Sequence, residues 1–250
     1  MGRQDLKINP QVFGVPTPPP GTYVTAPFSS THSVKQQDNT SNVSQVHGIG
    51  SVFNVQDFGA SPDGKTDSSQ NMTITAPEES PNTDGIHIGD SNDIIINKVN
   101  ISTGDDCVSI GAGTANVHIS EVNCGPGHGI SIGSLGKYQN EGDVNGVIVT
   151  NCNIGKTQNG VRIKSWAPSP PSKVFNGESQ VQISDVKFIN IKGTSASKEG
   201  VVLDCSKSVP CQGIELRGLE LTLNGQQTTT ATCSNANMNF FGPQTPSQCT

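Results

Sequence analysis

Asp84, Asp105, Asp106, His128, Arg162 and Lys164 are the side chains of this 250-residue chain whose types and spacing could do chemistry. Asp84, Asp106 and His128 each stand immediately before the small residue that opens a short apolar stretch: Gly85-Ile86-His87-Ile88, Cys107-Val108-Ser109-Ile110 and Gly129-Ile130-Ser131-Ile132. If these stretches are neighbouring strands, about 4.8 Å apart, the three side chains form a column, with Asp105 beside Asp106. Carboxylates held that close raise one another's pKa, so that one can keep a proton while another is ionised. Hydrolysis of a glycosidic bond needs that division of labour, an acid for the leaving oxygen and a base for the attacking water. Further along, Arg162 takes the outward position between Val161 and Ile163, and Lys164 points the same way two residues later. A basic pair beside an acidic cluster suits a substrate that bears a carboxylate of its own. One Asp before Gly is an ordinary turn residue. Six ionisable groups stacked on one side need another explanation.

What must position them is an internal repeat with two halves. The first half reads small residue, aliphatic, any, aliphatic; besides the three stretches above it occurs at Gly160-Val161-Arg162-Ile163 and Gly200-Val201-Val202-Leu203. In the second half apolar residues fall at the first, third, sixth and eighth positions. Its copies are Ile94, Ile96, Val99, Ile101; Val117, Ile119, Val122, Cys124; Val147, Val149, Cys152, Ile154; Val181, Ile183, Val186, Phe188; and Ile214, Leu216, Leu219, Leu221. Alternation with period two marks strands, and the two-residue break marks a bend. Such copies stack only if the chain coils, which predicts an all-β fold, a right-handed parallel β-helix: a single-stranded solenoid with Val, Ile and Leu ladders inside. Cys152 takes an inward slot of the repeat, where it serves as a small buried hydrophobe rather than a reactive thiol.

Composition narrows the class of protein. Charged residues make up 14% and aromatics 4%, while Gly (28) and Pro (16) are abundant, which favours many turns over long helices. A net charge of −6 argues against broad binding to nucleic acid or anionic membrane. The longest strongly apolar run, Ile94-Ile95-Ile96, is far short of a membrane span of about 20 residues. Residues 1–51 lack periodicity and are rich in Pro, Ser, Thr, Gln and Asn, so they are expected to be mostly disordered; the β-helix domain is expected to run over residues 52–250. Val52 to Ala60 reads as one strand, followed by a turn at Ser61-Pro62-Asp63-Gly64. Seven cysteines and the Asn-x-Ser/Thr sites at Asn39, Asn42, Asn71 and Asn100 suit an oxidising, secreted setting, although residues 1–30 contain no apolar leader. Apart from Cys152, proximity favours pairing Cys107 with Cys124, Cys205 with Cys211 and Cys233 with Cys249. The absence of any C-x-x-C pair weighs against zinc.

Asn82-Thr83-Asp84, Gly104-Asp105-Asp106, Gly127-His128-Gly129 and Arg162-Ile163-Lys164 resemble, in order and spacing, the four motifs of the polygalacturonases, the pectin-cleaving enzymes of glycoside hydrolase family 28. The text from Cys124 to Gly136 is similar to the plant branch, especially its pollen members, often described as exo-acting. The resemblance covers about residues 71–250. It implies a pectin-lyase-like β-helix that hydrolyses α-1,4 bonds of polygalacturonate with inversion. On that resemblance Asp105 is the general acid, Asp84 and Asp106 are the water-activating carboxylates, and His128 supports the acid. Asn82 then lines the site, while Arg162 and Lys164 bind a galacturonate carboxylate. It further implies a secreted, monomeric enzyme of the cell wall that uses no metal or cofactor and engages neither nucleic acid nor membrane. Inverting carboxylate pairs stand roughly 6.5–9.5 Å apart, more than adjacent strands supply.

One departure bears on this expectation. Family members carry several further coils between the N-terminal strand and the Asn-Thr-Asp motif, whereas here Gln70 runs straight into Asn71-Met72-Thr73-Ile74. The coil from Gly85 to Ile101 is therefore expected to present an open edge. Two competing expectations follow: a catalytically silent pectin-binding protein, and a pectate lyase that cleaves by β-elimination with Ca²⁺. The His128 and Arg-x-Lys motifs favour the hydrolase over the lyase.

Overall fold

The computed structural model describes residues 4–8, 23–26, 72–166 and 178–249. Two strands come from the N-terminal segment, β1 (Asp5–Ile8) and β2 (Tyr23–Ala26), and β3 (Met72–Thr75) precedes the coils. The coils follow in threes: β4 (Ile86–Ile88), β5 (Asn92–Asn97) and β6 (Val99–Ser102), then β7 (Asp106–Ile110), β8 (Ala115–Ser120) and β9 (Asn123–Cys124). Next come β10 (Gly129–Leu135), β11 (Asn145–Thr150) and β12 (Asn153–Ile154), then β13 (Val161–Ser165), β14 (Lys187–Ile189) and β15 (Lys192–Ser195). The last are β16 (Glu199–Asp204), β17 (Cys211–Arg217), β18 (Glu220–Leu223), β19 (Gln227–Thr228), β20 (Thr230–Ser234) and β21 (Ala236–Phe241). The described residues contain no helix.

Three faces run along the coil. The first sheet has the order β20-β16-β1-β13-β10-β7-β4 and the second β21-β17-β14-β2-β11-β8-β5. The third face is split into β12-β9-β6-β3 and β15-β18-β19. Consecutive coils pair in parallel and in register, Ile88 beside Ile110, Ile110 beside Ile132 and Ile132 beside Ile163, and all four are buried. This is the parallel β-helix. Each such side chain contributes about 1.5–3 kcal/mol by leaving water. The bend between second and third faces is made by one left-handed residue per coil: Lys98, Glu121, Asn151, Asn190 and Gly218, with φ of 54°, 54°, 53°, 53° and 62°. That residue is why the second half of the repeat skips two positions between its apolar pairs.

Two expectations need correction. In the fourth copy of the second half, Phe188 lies beside Leu216 and Lys192 beside Glu220, so the matching residues are Val186, Phe188, Ile191 and Gly193. Val181 and Ile183 alternate in the same way and Ile183 is buried, but they precede the strand. The second correction concerns residues 1–51. Asp5–Ile8 and Tyr23–Ala26 are strands, each antiparallel to the coils it enters. β1 lies between β13 and β16, with Leu6 beside Ile163 and Leu203 and Ile8 beside Val161 and Val201. Leu6 and Ile8 are buried, so two apolar residues with correct alternation suffice to bring this polar segment into the sheet. Apart from Gln4, the remainder of 1–51 lies outside the described residues, as do the strand and turn expected at 52–64.

The disulfides are Cys107–Cys124, Cys205–Cys211 and Cys233–Cys249, the pairs that proximity favours. Cys152 is a free thiol whose Sγ donates to the Thr150 carbonyl at 3.2 Å, and burial pushes its pKa up to about 11. A thiol so hard to ionise is a poor nucleophile.

Candidate active site

The outward slot in the first half of the repeat, between the two aliphatic residues, forms one continuous row: His87 beside Ser109, Ser109 beside Ser131, and Ser131 beside Arg162. The acids stand at the entrances to the same strands. Asp84 Oδ2 accepts the Ser109 hydroxyl at 2.6 Å, and Asp106 Oδ1 accepts the Ser131 hydroxyl at 2.6 Å. Both serines belong to the site without having been singled out from sequence. The signal that could have found them is that they share the slot of Arg162.

A bulge in β7 reorders the expected column. Gly129 pairs with Asp106 while Ile130 pairs with Val108, which leaves Cys107 as an extra residue turned inward to its disulfide with Cys124. His128 is thereby placed against Asp105 rather than Asp106. Its backbone N–H donates to the Asp105 carbonyl at 2.7 Å, and its Nδ1 lies 2.7 Å from Asp105 Oδ1. The same Oδ1 accepts the backbone N–H of Asp106 at 2.9 Å, which fixes the carboxyl and leaves Oδ2 outside these bonds.

Lys164 Nζ lies 3.0 Å from Asp106 Oδ2, and the Asp106 side chain is almost fully buried. The two oxygens of Asp106 thus take a hydroxyl and an ammonium. Donor atoms of Asp105, Asp106 and His128 lie within 4.8 Å of one another, the spacing of a cation site, and Lys164 already brings positive charge there. The surroundings of Asp84 bear on its charge. Burial pushes its pKa upward, the Ser109 hydrogen bond opposes this, Asp106 and Asp105 raise it further, and His87 lowers it. Asp84, Asp105, Asp106, His128 and Lys164 therefore meet on one flank. Asn82, by contrast, is exposed in a left-handed turn with φ of 51°, outside the hydrogen bonds that join the acids.

Arg162 has a partner the sequence did not announce. Its Nε and Nη2 donate to the two carboxylate oxygens of Asp5 at 2.9 and 3.2 Å. Asp5 opens β1, so the N-terminal strand presents to Arg162 the two-oxygen group that an acidic sugar would present.

The family model of glycosyl hydrolases family 28 matches residues 31–174 and 170–247. The chain belongs to glycosyl hydrolases family 28. Among curated relatives, an exopolygalacturonase of Arabidopsis thaliana (clone GBGE184) is 44% identical over 208 residues, 69% of this chain and 49% of the relative. A polygalacturonase of Medicago sativa is 42% identical over 232 residues, covering 79% and 54% of the two chains. An exopolygalacturonase of Platanus acerifolia is 41% identical over 208 residues, covering 71% and 55%. The chain spans about half the length of these family 28 relatives.

Proposed function

We propose that this family 28 chain hydrolyses α-1,4-galacturonosyl bonds of polygalacturonate by carboxylate acid–base catalysis. The observation that carries the reading is the pairing of Asp105 with His128 beside a second carboxylate, Asp106, neutralised by Lys164. Asp105 donates a proton from Oδ2 to the leaving glycosidic oxygen while His128 holds its other oxygen. Asp84 activates the attacking water, and Lys164 and Arg162 receive the substrate carboxylate. The names of the relatives support the substrate class, and three disulfides support secretion to an oxidising cell-wall setting.

The test is release of reducing ends from polygalacturonate, with NMR reading the first anomer formed. Inversion at an α-linkage delivers the β-anomer. An unsaturated, ultraviolet-absorbing product would transfer the chain to the lyases, and oligogalacturonate binding without turnover would make it a silent binder.

Because Asp5 holds Arg162, substrate must displace it. Asp5→Asn removes the competing charge and is expected to lower KM for polygalacturonate about three- to tenfold, with kcat nearly unchanged; a partly buried ion pair of about 1 kcal/mol sets that scale. An unchanged KM in initial-rate measurements would remove Arg162 from the substrate's carboxylate.

A further inference from the structure

We infer that Ser109 and His87 form a proton outlet from Asp84 to solvent, a deepening of the hydrolytic reading on which it rests. Ser109 Oγ lies 2.6 Å from Asp84 Oδ2 and 2.6 Å from His87 Nδ1. Asp84 and His87 are themselves 3.9 Å apart, beyond direct hydrogen bonding, so the hydroxyl is the link. A serine hydroxyl has one hydrogen. While Asp84 is ionised, that hydrogen points to the carboxylate and His87 must donate Nδ1–H to Ser109. When Asp84 is protonated the chain reverses: Asp84 donates to Ser109, and Ser109 donates to a bare Nδ1.

The reversal moves a proton. During turnover, the glycosidic C–O bond breaks with the leaving oxygen taking the Asp105 proton, the water oxygen bonds to the anomeric carbon as its O–H bond breaks, and Asp84 takes that proton. Exchange with water first turns the exposed ring from its Nδ1–H to its Nε2–H tautomer; Asp84 then passes its proton to Ser109 Oγ as the serine hydrogen moves to the bare Nδ1. The resulting imidazolium gives its Nε2 proton to bulk water, which leaves the Nδ1–H ring it started from. Asp84 is again a carboxylate and Ser109 is unchanged, so the balance is one proton from the attacking water delivered to solvent.

The surroundings suit this traffic. The His87 side chain is 65% exposed against 28% for Asp84, so the ring bridges the half-buried acid and open solvent. The charged groups facing the chain are Asp105 and Asp106 from the next coil, both of which raise the pKa of Asp84. Around the ring, the nearest glycines, Gly89 and Gly111, bring no side chain that could compete for it. Among the described residues, no hydrogen-bonded imidazole stands behind the serine of Asp106. That serine, Ser131, is flanked in the row by Ser109 and Arg162, and a guanidinium cannot accept a proton. The difference favours Asp84 over Asp106 as the group that activates water, with His87 and Ser109 as positioning residues acting through it.

Two measurements on the full chain test this. ¹⁵N NMR of histidine-labelled protein at pH 8 should show His87 as the Nδ1–H tautomer, a preference lost in Ser109→Ala. An Nε2–H ring in the unaltered protein overturns the outlet whether or not the chain turns over polygalacturonate, which separates its failure from that of the hydrolytic reading. In the activity assay, His87→Ala should lower kcat about 10- to 100-fold with KM within twofold. Added imidazole should restore the rate in His87→Ala but not in Ser109→Ala. Unchanged kcat, or a loss that imidazole does not repair, also overturns it.

Discussion

Asp105→Asn is expected to lower the rate of reducing-end release by about 10²- to 10⁴-fold, the range a positioned proton donor supplies. The substitution is chosen for what it preserves. Asp105 Oδ1 receives His128 Nδ1 and the Asp106 backbone N–H, and an amide oxygen can accept both. What the amide cannot do is release a proton to a leaving oxygen. Thermal unfolding should therefore stay within a few degrees of the unaltered protein, and KM should move little, because Lys164 and Arg162 keep their places. A variant that retains more than a tenth of the activity would place the acid elsewhere, with Asp106 the next group to replace.

Lys164→Met should act first on stability. Among the described residues it removes the cation bonded to Asp106, whose side chain is 4% exposed, and leaves the buried carboxylate with the Ser131 hydroxyl. Losing one member of a buried pair typically costs about 3–5 kcal/mol, because the remaining charge is neither solvated nor matched. The cost comes from the unmatched carboxylate of Asp106, and urea unfolding of the variant should read it directly. Adding Asp106→Asn to Lys164→Met should recover most of the loss. No recovery in the double variant would mean that Lys164 supports the fold through its methylene stem.

The coiling itself was legible because each pair of apolar positions in the first half stacks on the next with the same spacing, as Val108 on Ile86 and Ile110 on Ile88. The three acids, His128 and Lys164 were legible for the same reason: they sit at fixed offsets from those pairs. Phase was harder to read where alternation continued beyond the strand, and Val181 and Ile183 imitate Val186 and Phe188 closely enough to shift the fourth copy. The bulge at Cys107 inserts one residue whose only sequence sign is its cysteine, and that residue moves His128 from Asp106 to Asp105. Ser109 and Ser131 were hidden by commonness, since serine in a polar chain signals little until its neighbour is a buried acid. β1 was hidden by distance: four residues carry too little pattern to name partners some 160 positions away.

That distance has its own consequence for how the molecule is assembled. The coils from β4 to β13 join neighbours adjacent in the chain and can zip together as they are made, a low-contact-order process. The block from β16 onward joins them in the first sheet through β1, a layer running against the grain of the stack. The first strand of the described residues is thus the mortar laid last, and its ladders to β13 and β16 hold the joint between the two halves whether or not Asp5 keeps Arg162.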